Sequence, residues 1–590
     1  YPFPQDMLTP EGTLRLLEAL KLAEDTAKGL ERVAWALARG VLGDRDAKEF
    51  VDSLPLMGLF WHQLDLDFPE EYNNWRTIDP KELFKAPVKW VVRDFKTYRN
   101  LKDVLKNLNG PLILATDNDY EGELIAYEVL QLAKSARNQV KYMRMRFNST
   151  ATNELRDAWT RLEPDLNWGW VWKAYFRSKF DLVTGATYTR LLTLSARKNR
   201  YPYKLLSWGS CQIPTLWFIY TREMEIRNFK PETYYELKAI LNVKGVEVEV
   251  FSKPIKDRSQ AISLYEKVKD VKEATVSSFE SEFFSEHRPL PTDTDVMLQE
   301  LTKILGISGA KIMSLAEELY ADGFISYPRT QTNMWIRMNH KYVLDMLSNT
   351  PLSKYVRSGV FQPKNGRKND NAHPPIYPVK PYLYDDAKGK IWSYIARRYV
   401  ANVASKDALL KRWRLDVHLK DVAMNNMGRY IIDDGFYEVF PYFKPKDLSQ
   451  IPEVKPGEFL PVLKVELMEK KTKPPSRLTE SDLLKLLEKN GIGTDATRHE
   501  YPSKIIARGY AGKKRKTFII TQLGERLIQL LENVNGQLVT PETRRFVEQI
   551  MGEVELGKRT VDEALNYALN VYSDLYAKLE AYIRSAKLIL

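Results

Sequence analysis

Between residues 111 and 134 an apolar run, Pro111 to Thr116, passes through a loop holding Asp117 and Asp119. It leads straight into a helical pattern, Glu121 to Lys134, rich in Leu, Ala and Glu. A buried strand whose carboxyl end turns directly into a helix is the unit of an α/β domain, so this stretch constrains the fold more than any other. The rest of the chain must add further units. At 590 residues, 44% of them apolar, it is too long for one core and long enough for several, roughly three to five domains.

Composition narrows the chemistry. A lone cysteine, Cys211, allows neither an internal disulfide nor a cysteine-based zinc module, so any metal must sit on oxygen ligands. The formal net charge of +12, with Lys and Arg spread along the chain, suits a surface that meets a polyanion, although solvated basic faces have the same composition. No apolar run approaches the roughly 18 residues of a membrane span, and Tyr1 to Asp6 lack the features of a signal peptide. The expectation is a protein without membrane attachment, cytoplasmic and nucleoid-associated. No Walker A pattern and no internal repeat is present, so nothing indicates ATP use.

Helical spacing fills the first forty residues and a second stretch over about 151–205, whereas 233–251 alternates apolar and polar residues as antiparallel strands do. From Asp293 to Gly323 helical spacing returns, with Ser308 as an N-cap, before a short strand Phe324 to Ser326. Strand patterning resumes over 408–467, which predicts one β-rich unit built from two separated stretches. After Pro474 and Pro475, Thr479 caps a helix to about Asn490. A second helix near 496–507 and a hairpin from Tyr510 to Ile520, tipped by Lys513 to Lys516, make a winged-helix pattern suited to nucleic acid.

Asp117, Asp119 and Glu121 place three carboxylates within five residues. Such a group relieves its repulsion by binding a hard cation, with Mg2+ the natural choice, or it is simply the acidic first turn of a helix. Tyr327 lies two residues before Arg329. A phenol beside a guanidinium can attack a phosphodiester while the guanidinium stabilises the growing charge, and a tyrosyl phosphodiester keeps the bond energy for resealing.

The segments that hold these groups resemble type IA DNA topoisomerases, in particular the topoisomerase III group. Ile325 to Asn333 is similar to the active-site segment, and Ala115 to Glu123 to the TOPRIM acidic motif. Arg177 to Arg190, Ser207 to Leu216, Ala372 to Ile376, Lys473 to Glu480 and Gly491 to Arg498 match further motifs in family order, over roughly residues 55 to 520. The resemblance implies a multidomain α/β plus α+β chain. In it a Rossmann-like TOPRIM domain joins helical and β-arch domains in a toroid. TOPRIM would occupy 1–150, a single-strand groove 151–219 and 471–590, the arch 220–289 with 386–470, and the tyrosine domain 290–385.

It also implies ATP-independent cleavage of one strand through a 5′-phosphotyrosine at Tyr327, strand passage and religation, relaxing negative supercoils and decatenating DNA. Arg329 and Glu24 would assist catalysis. Mg2+ would bind Asp117, Asp119 and Glu121, and Arg177, Gln212, His373, Thr494 and Thr497 would contact DNA. The partner is single-stranded or underwound DNA, with room for a helicase, and a closed toroid needs no second subunit. Three features depart from the family pattern: Asp25 stands where its lysine is expected, Tyr120 where an arginine is usual, and residues 1–19 match no motif. They motivate one alternative, a non-catalytic single-strand-binding paralog with the same toroid. A TOPRIM nuclease or primase is another, but it would leave the tyrosine segment without a role.

Overall fold

The computed structural model describes residues 64–92, 95–106, 111–137, 139–150, 152–201, 205–336 and 338–585. The helix expected over the first forty residues, and Glu24 within it, lie outside them. β1 (Leu64–Asp67) and β2 (Lys89–Val92) pair antiparallel. β3 (Leu112–Leu114) and β4 (Tyr142–Arg144) pair in parallel across the helix Tyr120–Ala136. All three β3 residues are buried, as expected of a parallel strand covered on both faces.

The expected helical stretch 151–205 divides into Thr152–Trp159 and the 31-residue Trp168–Lys198. Pro164, in the connection between them, lacks the N–H that a continuous helix needs. The long helix packs on Tyr120–Ala136 and on two helices from the far end of the chain, Glu542–Glu555 and Val561–Ser585. Tyr188 anchors that return: its ring stacks on Trp208 at 4.5 Å, and its hydroxyl donates to the Tyr572 carbonyl at 2.6 Å.

A closed six-stranded barrel forms from β5 (Thr233–Val243), β6 (Val246–Ser252), β7 (Glu273–Glu286), β8 (Ala408–Leu419), β9 (Val422–Asp433) and β10 (Phe459–Lys471). The order is β10-β5-β6-β9-β8-β7. Alternate residues Leu237, Ala239, Leu241 and Val243 point into its core. Closure pairs every strand on both sides and removes exposed edges. Between β7 and β8 the chain leaves the barrel for helices Thr294–Leu305, Gly309–Ala321 and Ala387–Val403.

Gly306, at φ +68°, ends the first of these helices, and the Ser308 hydroxyl accepts from Lys311 N to start the second. Phe324 to Ser326, expected as a strand, makes only a single bridge, Ile325 to Pro378. Thr479 and Asp482 form a capping box on Glu480–Lys489. The helix expected at 496–507 is shorter, a 3-10 turn Arg498–Glu500 followed by Tyr501–Ala507. β11 (Ala511–Lys514) and β12 (Thr517–Ile520) make the hairpin.

Candidate active site

The acidic loop is built at the carboxyl end of β3. Asp119 takes an extended conformation, and its Oδ1 accepts from Gly122 N at 2.7 Å, capping the helix that follows. Gly122 is required by space: a Cβ there would lie 2.0 Å from the Asp117 carbonyl oxygen. Arg144, at the end of β4 and 0% exposed, holds the loop from beneath. It donates to the carbonyls of Leu114, Thr116 and Asp117 at 3.1, 2.9 and 2.7 Å and to Glu123 Oε1 at 2.7 Å.

Tyr327 is 3% exposed and faces this loop. Its hydroxyl donates to Asp119 Oδ2 at 2.7 Å, and its backbone N–H donates to the Asn148 carbonyl at 2.7 Å. Tyr320 lies edge-on to the Tyr327 ring at 5.1 Å and directs its own hydroxyl at Asp117 Oδ1, 3.4 Å away. Arg329 pairs with Glu317. On the other flank His373 lies 4.7 Å from the Tyr327 ring, and its buried Nε2 has no hydrogen-bond partner among the described residues. Asp370 orients that segment by accepting from the N–H groups of Ala372 and His373, both at 2.8 Å.

Residues 165–566 match the family described as DNA topoisomerase, and residues 36–150 match the Toprim domain. The DNA topoisomerase 1 of Archaeoglobus fulgidus is 32% identical over 90% of this chain and 79% of its own length. The DNA topoisomerase 3-beta-1 of Homo sapiens is 30% identical over 95% and 68%. The chain belongs to the type IA DNA topoisomerases. It is therefore an isomerase acting on DNA. The fold of full-length topoisomerase I from Thermotoga maritima superposes with a TM-score of 0.73 at 23% identity, covering 94% of this chain and 90% of that one.

Asp117 and Asp119 face Tyr320 and Tyr327 in this topoisomerase, but Glu121 does not join them: its carboxylate pairs with Arg177 at 2.8 Å. The expected triad thus divides, and among the described residues no three acidic or histidine side chains are grouped to hold a metal. The physical reason is helical spacing. Asp119 is the N-cap and Glu121 lies in the first turn, so their side chains leave the helix in different directions.

Burial, and then the nearby Asp119, push the Asp117 carboxyl up to about 6. Burial and the same two aspartates raise the Tyr327 phenol well above its ordinary range, so it is protonated at rest. Two half-buried carboxylates side by side fit Mg2+, which commonly takes one or two protein carboxylates and fills its remaining positions with water and phosphate oxygens.

Besides His373, at the Tyr327 ring, the expected DNA contacts fall in two places. Arg177 also lies over the Tyr120 ring at 6.0 Å, with Lys173 at 5.2 Å. The Tyr120 hydroxyl donates to Thr494 Oγ1 at 3.0 Å, and Thr494 N donates to Thr497 Oγ1 at 3.1 Å. The unusual Tyr120 therefore ties the acidic loop to both threonines. Gln212 begins helix Gln212–Asn228 and donates to Ser207 Oγ at 3.0 Å. Sequence reasoning passed over Arg144, Asn148, Tyr320 and Asp370. Tyr320 and Asp370 sit just before motifs of the sequence, Arg144 and Asn148 beside none, and the roles of all four arise from segments that meet only in the fold.

The raised Asp117 carboxyl predicts a pH signature. Between the usual carboxylate range near about 4 and about 6, the folded state keeps a proton that the unfolded state has lost. The stabilisation is complete below that window and is lost as pH rises through about 6. Scanning fluorimetry without metal should show melting temperature falling over this window relative to Asp117→Asn. Added Mg2+ should restore it above pH 6 but not below about pH 5. A Mg2+ effect independent of pH, or equal in Asp117→Asn, would count against Asp117 as a ligand.

Proposed function

We propose that Tyr327 is the nucleophile of this topoisomerase and joins a 5′ phosphate, with Asp119 as the base that receives its proton. The observation that carries this reading is the 2.7 Å hydrogen bond from the Tyr327 hydroxyl to Asp119 Oδ2, because a phenol held protonated by its surroundings needs a base at that position. The tyrosine oxygen bonds to phosphorus as the bond from phosphorus to the 3′ oxygen breaks. The phenol proton passes to Asp119. The departing 3′ oxygen takes up a proton, a role that the family resemblance gives to Glu24.

Arg329, now paired with Glu317, stabilises the charge that grows on the phosphate, and His373 donates to a phosphate oxygen from Nε2. Asp117 and Asp119 would hold Mg2+, which would supply positive charge to the phosphate and the 3′ hydroxyl during resealing. Arg177, Thr494 and Thr497 bind the strand backbone beside this centre, with Gln212 further along the groove. Glu121 would join Asp117 and Asp119 once Arg177, its partner at 2.8 Å, turned to a DNA phosphate.

The substrate is single-stranded or underwound DNA, and no ATP enters the cycle. Relaxation of negative supercoils and decatenation follow, in a nucleoid-associated cytoplasmic monomer to which a helicase could present single strands. Among the described residues no helix is long and apolar enough to cross a membrane.

Denaturing the enzyme during cleavage of an end-labelled single-stranded oligonucleotide tests the assignment. Label at the 3′ end should become attached to protein and label at the 5′ end should not. Transfer of the 5′ label would overturn the 5′-phosphotyrosine.

A further inference from the structure

A cavity of about 550 Å3 opens behind His373, lined by residues from both sides of the Tyr327 contact. Asn148, Arg161, Tyr342, Asn369, Asn371 and His373 are among its walls. Its size lies within the roughly 300–1,000 Å3 of sites that enclose small organic groups. Tyr342 and Ile336, both in its lining, remain 49% and 47% exposed. At its floor the Glu154 carboxylate is occupied by donors, from Asn148 N at 2.5 Å and Ser149 Oγ at 2.6 Å. Asn369 donates to Asn371 Oδ1 at 2.9 Å, and together these amides offer both donors and acceptors to an incoming polar edge.

We infer that this cavity holds the nucleobase immediately 3′ of the scissile phosphate and sets the base preferred there. The inference rests on Tyr327 joining the 5′ phosphate. Asp117 and Asp119 stand at the hydroxyl end of Tyr327 and are joined through Tyr120 to Thr494, so the strand that ends in the 3′ hydroxyl lies on that side. The nucleotide left on the tyrosine must continue on the opposite flank. That flank is formed by His373, beside the ring, and Asn148, bonded to the Tyr327 backbone, and both open onto the cavity. There the Tyr342 ring can stack on a base while Asn369 reads its edge, and Arg161 meets the next phosphate.

The test uses the full chain and a pool of single-stranded oligonucleotides randomised around one cleavage position. DNA fragments held covalently by the protein are sequenced, and the first base of each reports the pocket. The parent should favour one or two bases there by about fivefold or more, and Tyr342→Ala and Asn369→Ala should each reduce this below about twofold while leaving upstream preferences unchanged. An abasic nucleotide at that position should cost the parent roughly tenfold in cleavage and cost Tyr342→Ala almost nothing. A parent with no preference there, or one preserved in both variants, overturns the inference. A parent that forms no adduct overturns the nucleophile assignment, and the pocket's role with it. A variant whose upstream preferences also collapse is scored by the abasic comparison alone, and equal sensitivity to the abasic nucleotide in parent and Tyr342→Ala again overturns the pocket.

Discussion

Tyr327→Phe should bind single-stranded DNA as the parent does and relax no supercoiled plasmid, a loss of at least about 10⁴-fold. The substitution removes one oxygen from a buried ring whose packing against Tyr320 and His373 is otherwise kept, so the fold has little reason to respond. What disappears is the atom that bonds to phosphorus and the hydrogen bond to Asp119. The measurement is plasmid relaxation with Mg2+ and without ATP, beside strand binding by fluorescence anisotropy. Retained relaxation would falsify the nucleophile. Inactivity of the parent itself, with binding intact, would instead favour the non-catalytic paralog and give the altered Asp25 and Tyr120 positions a consequence.

Arg144→Met should destabilise the acidic loop by about 3–5 kcal/mol, the usual cost of removing one partner from a buried ion pair. Methionine fills similar volume but donates nothing. Three carbonyls at the end of β3 and in the loop lose a donor, and Glu123 keeps only Arg146 among its arginine partners. Burial already pulls the Arg144 guanidinium below its ordinary range, with Glu123 opposing that shift, so the charge is kept there by its partners. Hydrogen exchange should quicken across residues 115–123, and relaxation should fall steeply although Tyr327 is untouched. Parental exchange in that segment together with full activity would show that the loop is held by something other than Arg144.

These two effects differ in how far the sequence alone could reach them. Tyr327 and Arg329 lie two positions apart in the chain, so their proximity is a local pattern. The strand, loop and helix at 111–136 were equally local, because hydrophobic run length and helix capping are decided within a few residues. Alternation at 233–251 and over 408–467 marked strands, yet it carries no information about closure, and the six strands meet as a barrel only in the fold. The continuous strand expected at 324–326 did not form, since its partner there is the single bridge to Pro378, more than fifty residues on.

The site shows the same division. Sequence by itself determined which chemical groups are available: a phenol, a guanidinium, three carboxylates near one helix start, and a histidine in its own motif. Tertiary structure decided which of them meet. It turned Asp119 toward Tyr327 and Glu121 toward Arg177, placed Asn148 against the tyrosine backbone, and put Tyr120 on Thr494 across 374 positions of chain. The reason is range. Propensity and capping act over a few residues, whereas the burial and paired hydrogen bonds that orient a reacting group depend on segments brought together by packing.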